Sequence, residues 1–102
     1  MTSKIKTKKT SARREAADET ASSERLTALA EESVTLARIV AKNPSAPISI
    51  LRVLSRSEDD ATRKCVALNP RAPYDVLSHL ENQFPEIFTN NPALEFYNSF
   101  KA

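Results

Sequence analysis

The 102-residue sequence contains no glycine. Without Gly a chain cannot build a glycine-rich phosphate loop or a nucleophile elbow that relies on Gly, so P-loop, Rossmann and hydrolase chemistries are excluded. A single Cys, Cys65, and a single His, His79, exclude an internal disulfide framework and any zinc site made only of Cys and His. One unpaired Cys fits a reducing, cytoplasmic setting. The apolar runs are only a few residues long, too short for a membrane span or a signal-peptide core, which points to a soluble protein.

Charge is unevenly spread along the chain. Residues 1–14 carry Lys4, Lys6, Lys8, Lys9, Arg13 and Arg14 and no acid, whereas residues 15–32 carry six acids against Arg25 alone. Beyond Met1, the first 22 residues hold one large aliphatic side chain, Ile5. Such a segment buries too little apolar surface to offset its ordering entropy, so residues 1–22 are expected to form a disordered tail and residues 23–102 a helical domain.

What the sequence does contain is a recurring loop. Lys42-Asn43-Pro44-Ser45-Ala46-Pro47 returns 26 residues later as Leu68-Asn69-Pro70-Arg71-Ala72-Pro73, and a worn third copy, Asn91-Pro92-Ala93-Leu94, follows after 22 more. Each copy separates one apolar segment from the next, which is the signature of a repeat. Leu26, Leu29, Ala30, Ser33, Val34, Ala37, Val40 and Ala41 recur at helical spacing and predict one long helix from a cap at Ser22 or Ser23 to Lys42. The Pro that follows Asn43, Asn69 and Asn91 disfavours continued helix, and Asn is the best residue left in a Gly-free chain for a left-handed helix end. Pro47 is placed to begin a short helix carrying Ile50, Leu51 and Leu54. Ser57 reads as the N-cap of a second long helix, about Glu58 to Leu68, that buries Ala61, Cys65, Val66 and part of Leu68. Val76, Leu77 and Leu80, then Phe84, Ile87 and Phe88, form a third unit, and Leu94, Phe96, Tyr97 and Phe100 a terminal cap.

The units superpose, with Leu51 and Leu54 falling on Leu77 and Leu80, to give Leu-x-x-Leu, a polar turn, and a helix ending Val-Ala-x-Asn-Pro before a second Pro. Val40-Ala41-Lys42-Asn43-Pro44 and Val66-Ala67-Leu68-Asn69-Pro70 carry this pattern, which resembles the leucine-rich repeat variant family of bacterial proteins over residues 26 to about 94. The resemblance implies an all-α fold, a short right-handed solenoid of about three units alternating an α-helix with a short 3₁₀ helix. The units are expected at about 26–50, 51–76 and 77–100. Some members of that family carry a cysteine-rich iron–sulfur module; Cys65 alone cannot support one, so no cofactor is expected. The family is otherwise a scaffold without an assigned chemistry.

No residue set points to catalysis. His79 has no second imidazole or thiol at a useful spacing, Cys65 reads as a small buried hydrophobe, and Glu58-Asp59-Asp60 lacks calcium-loop spacing and reads as helix capping. Asn43, Asn69 and Asn91 suggest a ladder in which each amide bonds the backbone of a neighbouring unit. The repeat signature therefore comprises Asn43, Pro44, Pro47, Leu51, Leu54, Asn69, Pro70, Pro73, Leu77, Leu80, Asn91 and Pro92. The expected function is a non-enzymatic protein-interaction scaffold with another protein as partner and no membrane role. The alternative is weak, sequence-non-specific nucleic-acid binding, in which Lys4, Lys6, Lys8, Lys9, Arg13 and Arg14 contact phosphates or an acidic partner and Arg38, Lys42, Arg52, Arg56, Arg63, Lys64 and Arg71 supply the repeat surface. The aromatic C-terminal end offers a route to self-association.

Overall fold

The computed structural model describes residues 11–89, 91 and 94–101, and all regular structure among them is helical. Lys4, Lys6, Lys8, Lys9 and Pro92 lie outside the described residues, as does the side chain of Phe100. The helices come in pairs: α1 (11–17) with α2 (Ser23–Glu32), α3 (Val34–Lys42) with α4 (Ile48–Leu54), α5 (Asp60–Ala67) with α6 (Tyr74–Gln83), and α7 (Pro85–Phe88) with α8 (Glu95–Lys101). One turn joins the two helices of every pair. In it the backbone carbonyl of Asp18, Asn43, Asn69 or Asn91 accepts from the N–H three residues on, at Ala21 (3.2 Å), Ala46 (2.9 Å), Ala72 (3.0 Å) or Leu94 (2.9 Å).

The turn residue sets the register of the core. Leu26, Leu51 and Leu77 stand eight positions after Asp18, Asn43 and Asn69, and Leu29, Leu54 and Leu80 stand eleven after; all six are buried. Two positions before the turn residue lie Ala16, Ala41 and Ala67, each fully buried. The boundaries expected at 26–50, 51–76 and 77–100 keep this period but begin each unit inside its second helix.

Several expectations need correction. Residues 11–22 are not a disordered tail: α1 is formed, Ala16 is completely buried, and Arg25 holds Glu15 at 2.7 Å. The long helix expected to reach Lys42 is two helices, because Ser33 is extended (φ −162°, ψ 160°) and its hydroxyl accepts from Leu36 N, capping α3. The segments after Pro47 and Pro73 are α-helices rather than 3₁₀ helices. Pro47 and Pro73 are N-caps, not first helical residues; the Pro73 carbonyl accepts from Leu77 N (3.0 Å), the bonding pattern of an α-turn, and the Pro47 carbonyl is shared between Ile50 N (3.0 Å) and Leu51 N (3.1 Å). Asp59, not Ser57, caps α5; Ser57 Oγ accepts from Asp59 N instead, and Ala61 and Cys65 are half-buried rather than buried. Asn43 ends α3 with φ −73° and ψ 120°, so the helix end is extended, not left-handed.

The asparagine ladder joins successive units. Asn43 Nδ2 donates to Ala16 O and Asp18 O, both at 2.9 Å, and Asn69 Nδ2 donates to Ala41 O at 2.7 Å and Asn43 O at 2.9 Å. The amide oxygens close their own turns, accepting from Ser45 N and Arg71 N at 2.8 Å. Asn43 and Asn69 are 2% and 4% exposed, so none of these groups has water as an alternative partner. Asp18 occupies the same place in the first unit, its carboxylate accepting from Thr20 N at 2.8 Å.

An ionic clamp runs parallel to the ladder. Arg38 on α3 makes two 2.8 Å bonds to Asp59, whose Oδ2 also accepts from Thr62 N (2.9 Å) and the buried Thr62 hydroxyl (2.7 Å). The Arg38 guanidinium and the Thr62 donors hold the Asp59 carboxyl well below the usual carboxylate range.

Two outcomes follow from these contacts. Asn69→Ala removes three hydrogen bonds at a buried site and should cost about 3 kcal/mol in urea unfolding, at roughly 1 kcal/mol per bond. Asn69→Asp keeps the acceptor but turns a carboxylate toward two carbonyls, so it should cost at least as much at neutral pH and regain part of the loss in acid. Because the folded pKa of Asp59 is depressed, its stabilisation is complete above the ordinary Asp value of about 3.9 and fades as pH falls toward the folded value. Urea midpoints measured from about pH 6 to pH 2 should therefore fall less steeply for Asp59→Asn, which retains a capping oxygen, than for the parent chain.

Candidate functional site

Because the repeat fixes the core register, it also fixes which positions look outward. On the second helices these lie six, nine, ten and thirteen residues after the turn residue. They hold Glu24, Thr27, Ala28 and Glu31 on α2, Ser49, Arg52 and Val53 on α4 with Arg56 in the turn after it, and Asp75, Ser78, His79 and Asn82 on α6; all are exposed except the half-buried Thr27. The first helices show a different outward row, with Arg13, Arg38 and Lys64 each five residues before the turn residue and exposed.

The two rows differ in packing. α3 lies directly against α5, whereas α4 and α6 contact α5 more than each other. Between α4 and α6 this leaves a cleft of about 280 Å³, floored by Ser55 and Val76 and walled by Arg52, Val53 and Arg56 on one side and Asp75 and His79 on the other. Arg52 and Asp75 are ion-paired across it. Val53 at its rim is 63% exposed, and Tyr74, at the start of α6, is 54% exposed.

The polar side chains of the cleft make separate contacts. The Ser55 hydroxyl donates to Arg52 O at 2.7 Å, and His79 Nε2 lies 3.0 Å from Gln83 Nε2, so neither is paired as nucleophile and base with the other. Among the described residues no group of three His, Cys, Asp or Glu side chains could hold a metal ion. Cys65 is half-buried on α5; burial raises its thiol pKa, opposed by the positive charges of Lys42 and Arg38.

The structure sorts the remaining sequence candidates. Asp59 caps α5 and binds Arg38, Asp60 pairs with Arg63, and Glu58 is exposed, so the acidic run serves α5 and its neighbour. Of the basic residues, Arg13, Arg38 and Lys64 lie in the first-helix row, Arg52 and Arg56 in the second, and Lys42, Arg63 and Arg71 in neither. Arg25, Arg38, Arg52 and Arg63 are each held by a carboxylate, while Arg13, Arg14, Lys42, Arg56 and Arg71 are exposed. Of the described aromatic side chains at the C-terminal end, Tyr97 is turned inward. Tyr97 packs 5.2 Å from the Tyr74 ring and 5.5 Å from Phe88, and donates to Glu81 at 2.9 Å. Burial and the adjacent Glu81 push its phenol up to about 12. Phe96 is the exception, at 76% exposed.

Asp18 and the α4–α6 cleft were missed by sequence reasoning. Asp18 was within reach: it lies 25 residues before Asn43, with Ala16 and Leu26 at the repeat positions around it. The cleft was not, because it arises from the splay of two helices and not from any periodicity.

No helix among the described residues is long and apolar enough to cross a membrane. Searches of curated proteins and of solved structures gave no match. A family model described as the Leucine Rich Repeat Variant domain matches residues 10–67, more than half of the 102-residue chain. The match begins at the start of α1 and ends with α5, taking in two complete helix pairs, the Asp18 and Asn43 turns and the Ala16 to Ala67 register described above. With its paired helices, shared turn and asparagine ladder, the chain belongs to the leucine rich repeat variant family.

Proposed function

We propose that this chain is a non-enzymatic scaffold that holds another protein on the face formed by its second helices. The observation that carries this reading is exposed apolar surface on α4 at the α4–α6 cleft: Val53 on the cleft wall is 63% exposed and Ile48, at the start of the helix, 39%. An exposed aliphatic group rimmed by Arg52, Arg56 and His79 combines an apolar centre with a polar edge, the make-up of a protein contact surface. The free thiol of Cys65 agrees with action in a reducing, cytoplasmic compartment.

The second reading, weak nucleic-acid binding, is favoured by Arg13, Arg38 and Lys64 recurring at one register on the first helices, next to the basic residues of the chain start. Arg38 is already committed to Asp59, and the fourth unit places Glu86 at that register, which interrupts the row.

The two readings separate experimentally. A photo-crosslinking residue at Val53 should capture a discrete protein partner at both low and high salt, with or without residues 1–10, while the same group at Ala17 should not. If capture is lost at high salt or on removing residues 1–10, and a labelled single-stranded oligonucleotide binds with a steep salt dependence, the nucleic-acid reading replaces the scaffold.

A further inference from the structure

We propose that one occupant of the second-helix face is a second copy of this chain, with α2 of one copy lying on α4 of the other along the edge of the cleft. This inference rests on reading that face as an interaction surface and names a partner for it.

The argument begins with sign. The outward positions of α2 carry Glu24 and Glu31, followed by Glu32, and those of α4, one unit on, carry Arg52, followed by Arg56 in the turn after the helix. Adjacent stripes of opposite charge on one face are self-complementary: a two-fold axis parallel to the helices brings acid over base twice. Under that operation equal registers meet, so Glu31 of one copy faces Arg56 of the other and Ala28 faces Val53. The contact then has an apolar centre at the exposed Val53 with charge pairs beside it.

Two of these charges, Glu31 and Arg56, are also uncommitted. Arg25, Arg38, Arg52 and Arg63 have carboxylate partners within the chain, whereas Glu31, Glu32 and Arg56 form no ion pair among the described residues. Helices of ten and seven residues offer a small contact area, so the dimer is weak and, resting on exposed charges, sensitive to salt.

The test is sedimentation of the full chain over a range of concentrations. The parent should dimerise in a concentration-dependent manner at low salt and less so at high salt. Glu31→Arg and Arg56→Glu should each weaken the dimer roughly tenfold, the two symmetry-related pairs together accounting for one factor of ten. The double exchange E31R/R56E should restore it. Both side chains are exposed, and unchanged circular dichroism melts establish that the variants fold. Phe96→Ala should leave the dimer intact.

A parent chain that stays monomeric at every concentration overturns the proposal. So does a dimer indifferent to both charge reversals, or one lost in Phe96→Ala, which would place the contact at the C-terminal end. Capture of a different protein at Val53 by a monomeric chain would leave the scaffold reading standing while this one fails. Loss of that capture as well would remove both.

Discussion

A side-chain amide donating into the backbone of the preceding unit is the contact on which this structure depends. A helix leaves its last carbonyls without intrahelical partners, and a buried helix end must find donors elsewhere. Here the donors come from the next repeat: Asn43 serves Ala16 O and Asp18 O, and Asn69 serves Ala41 O and Asn43 O. The C-terminal end of a first helix is therefore completed only when the following unit is in place. That couples neighbouring units, whose faces are too small to fold alone, into one structure. The same geometry accounts for the Ala at positions 16 and 41: each is fully buried where successive helix ends meet, and a longer side chain there would separate amide from carbonyl.

The absence of Gly finds its explanation in the same turn. A helix end that closes through a left-handed residue favours Gly. In this chain the helix closes through an Asx turn followed by a β-turn, with Asn43 at φ −73° in the first place and Pro44 in the second, where its ring fixes a negative φ. Asn is then required for its amide, whose oxygen shapes its own turn and whose nitrogen reaches the neighbouring unit, and its tolerance of positive φ goes unused.

Much of this was legible in the sequence, and the failures have physical causes. The Asn-Pro spacing disclosed the repeat, the ladder and the burial of Leu51, Leu54, Leu77 and Leu80, because each depends on residues that recur at fixed offsets. The first unit escaped because Asp18 lacks both the Asn amide and the following Pro. Asp suffices there for closing the turn, a role that needs an acceptor alone, as its bond from Thr20 N shows. Ser33 was read as part of an apolar stripe since its position satisfies helical spacing on both sides; only its extended backbone and its bond to Leu36 N separate α2 from α3. The α-helical form of the segments after Pro47 and Pro73 reverses what family resemblance implied, and the local reason is that each Pro caps from outside the helix, leaving the first turn free to close by α-type bonds.

The distinction between inward and outward positions also bears on function. Inward, the units are alike, with Leu at the same two places in three successive pairs and Ala before the turn. Outward, the same registers change from Glu24, Ala28 and Glu31 to Ser49, Val53 and Arg56, and then to Asp75, His79 and Asn82. A framework that repeats its core while varying its exposed residues presents a row of chemically different contacts at even spacing. Neither the ladder nor the core can recognise a partner, since their groups are satisfied within the chain. On the scaffold reading proposed above, selectivity would rest on the varied outward row, and the α4–α6 cleft is where charge, exposed aliphatic surface and a cavity coincide in it.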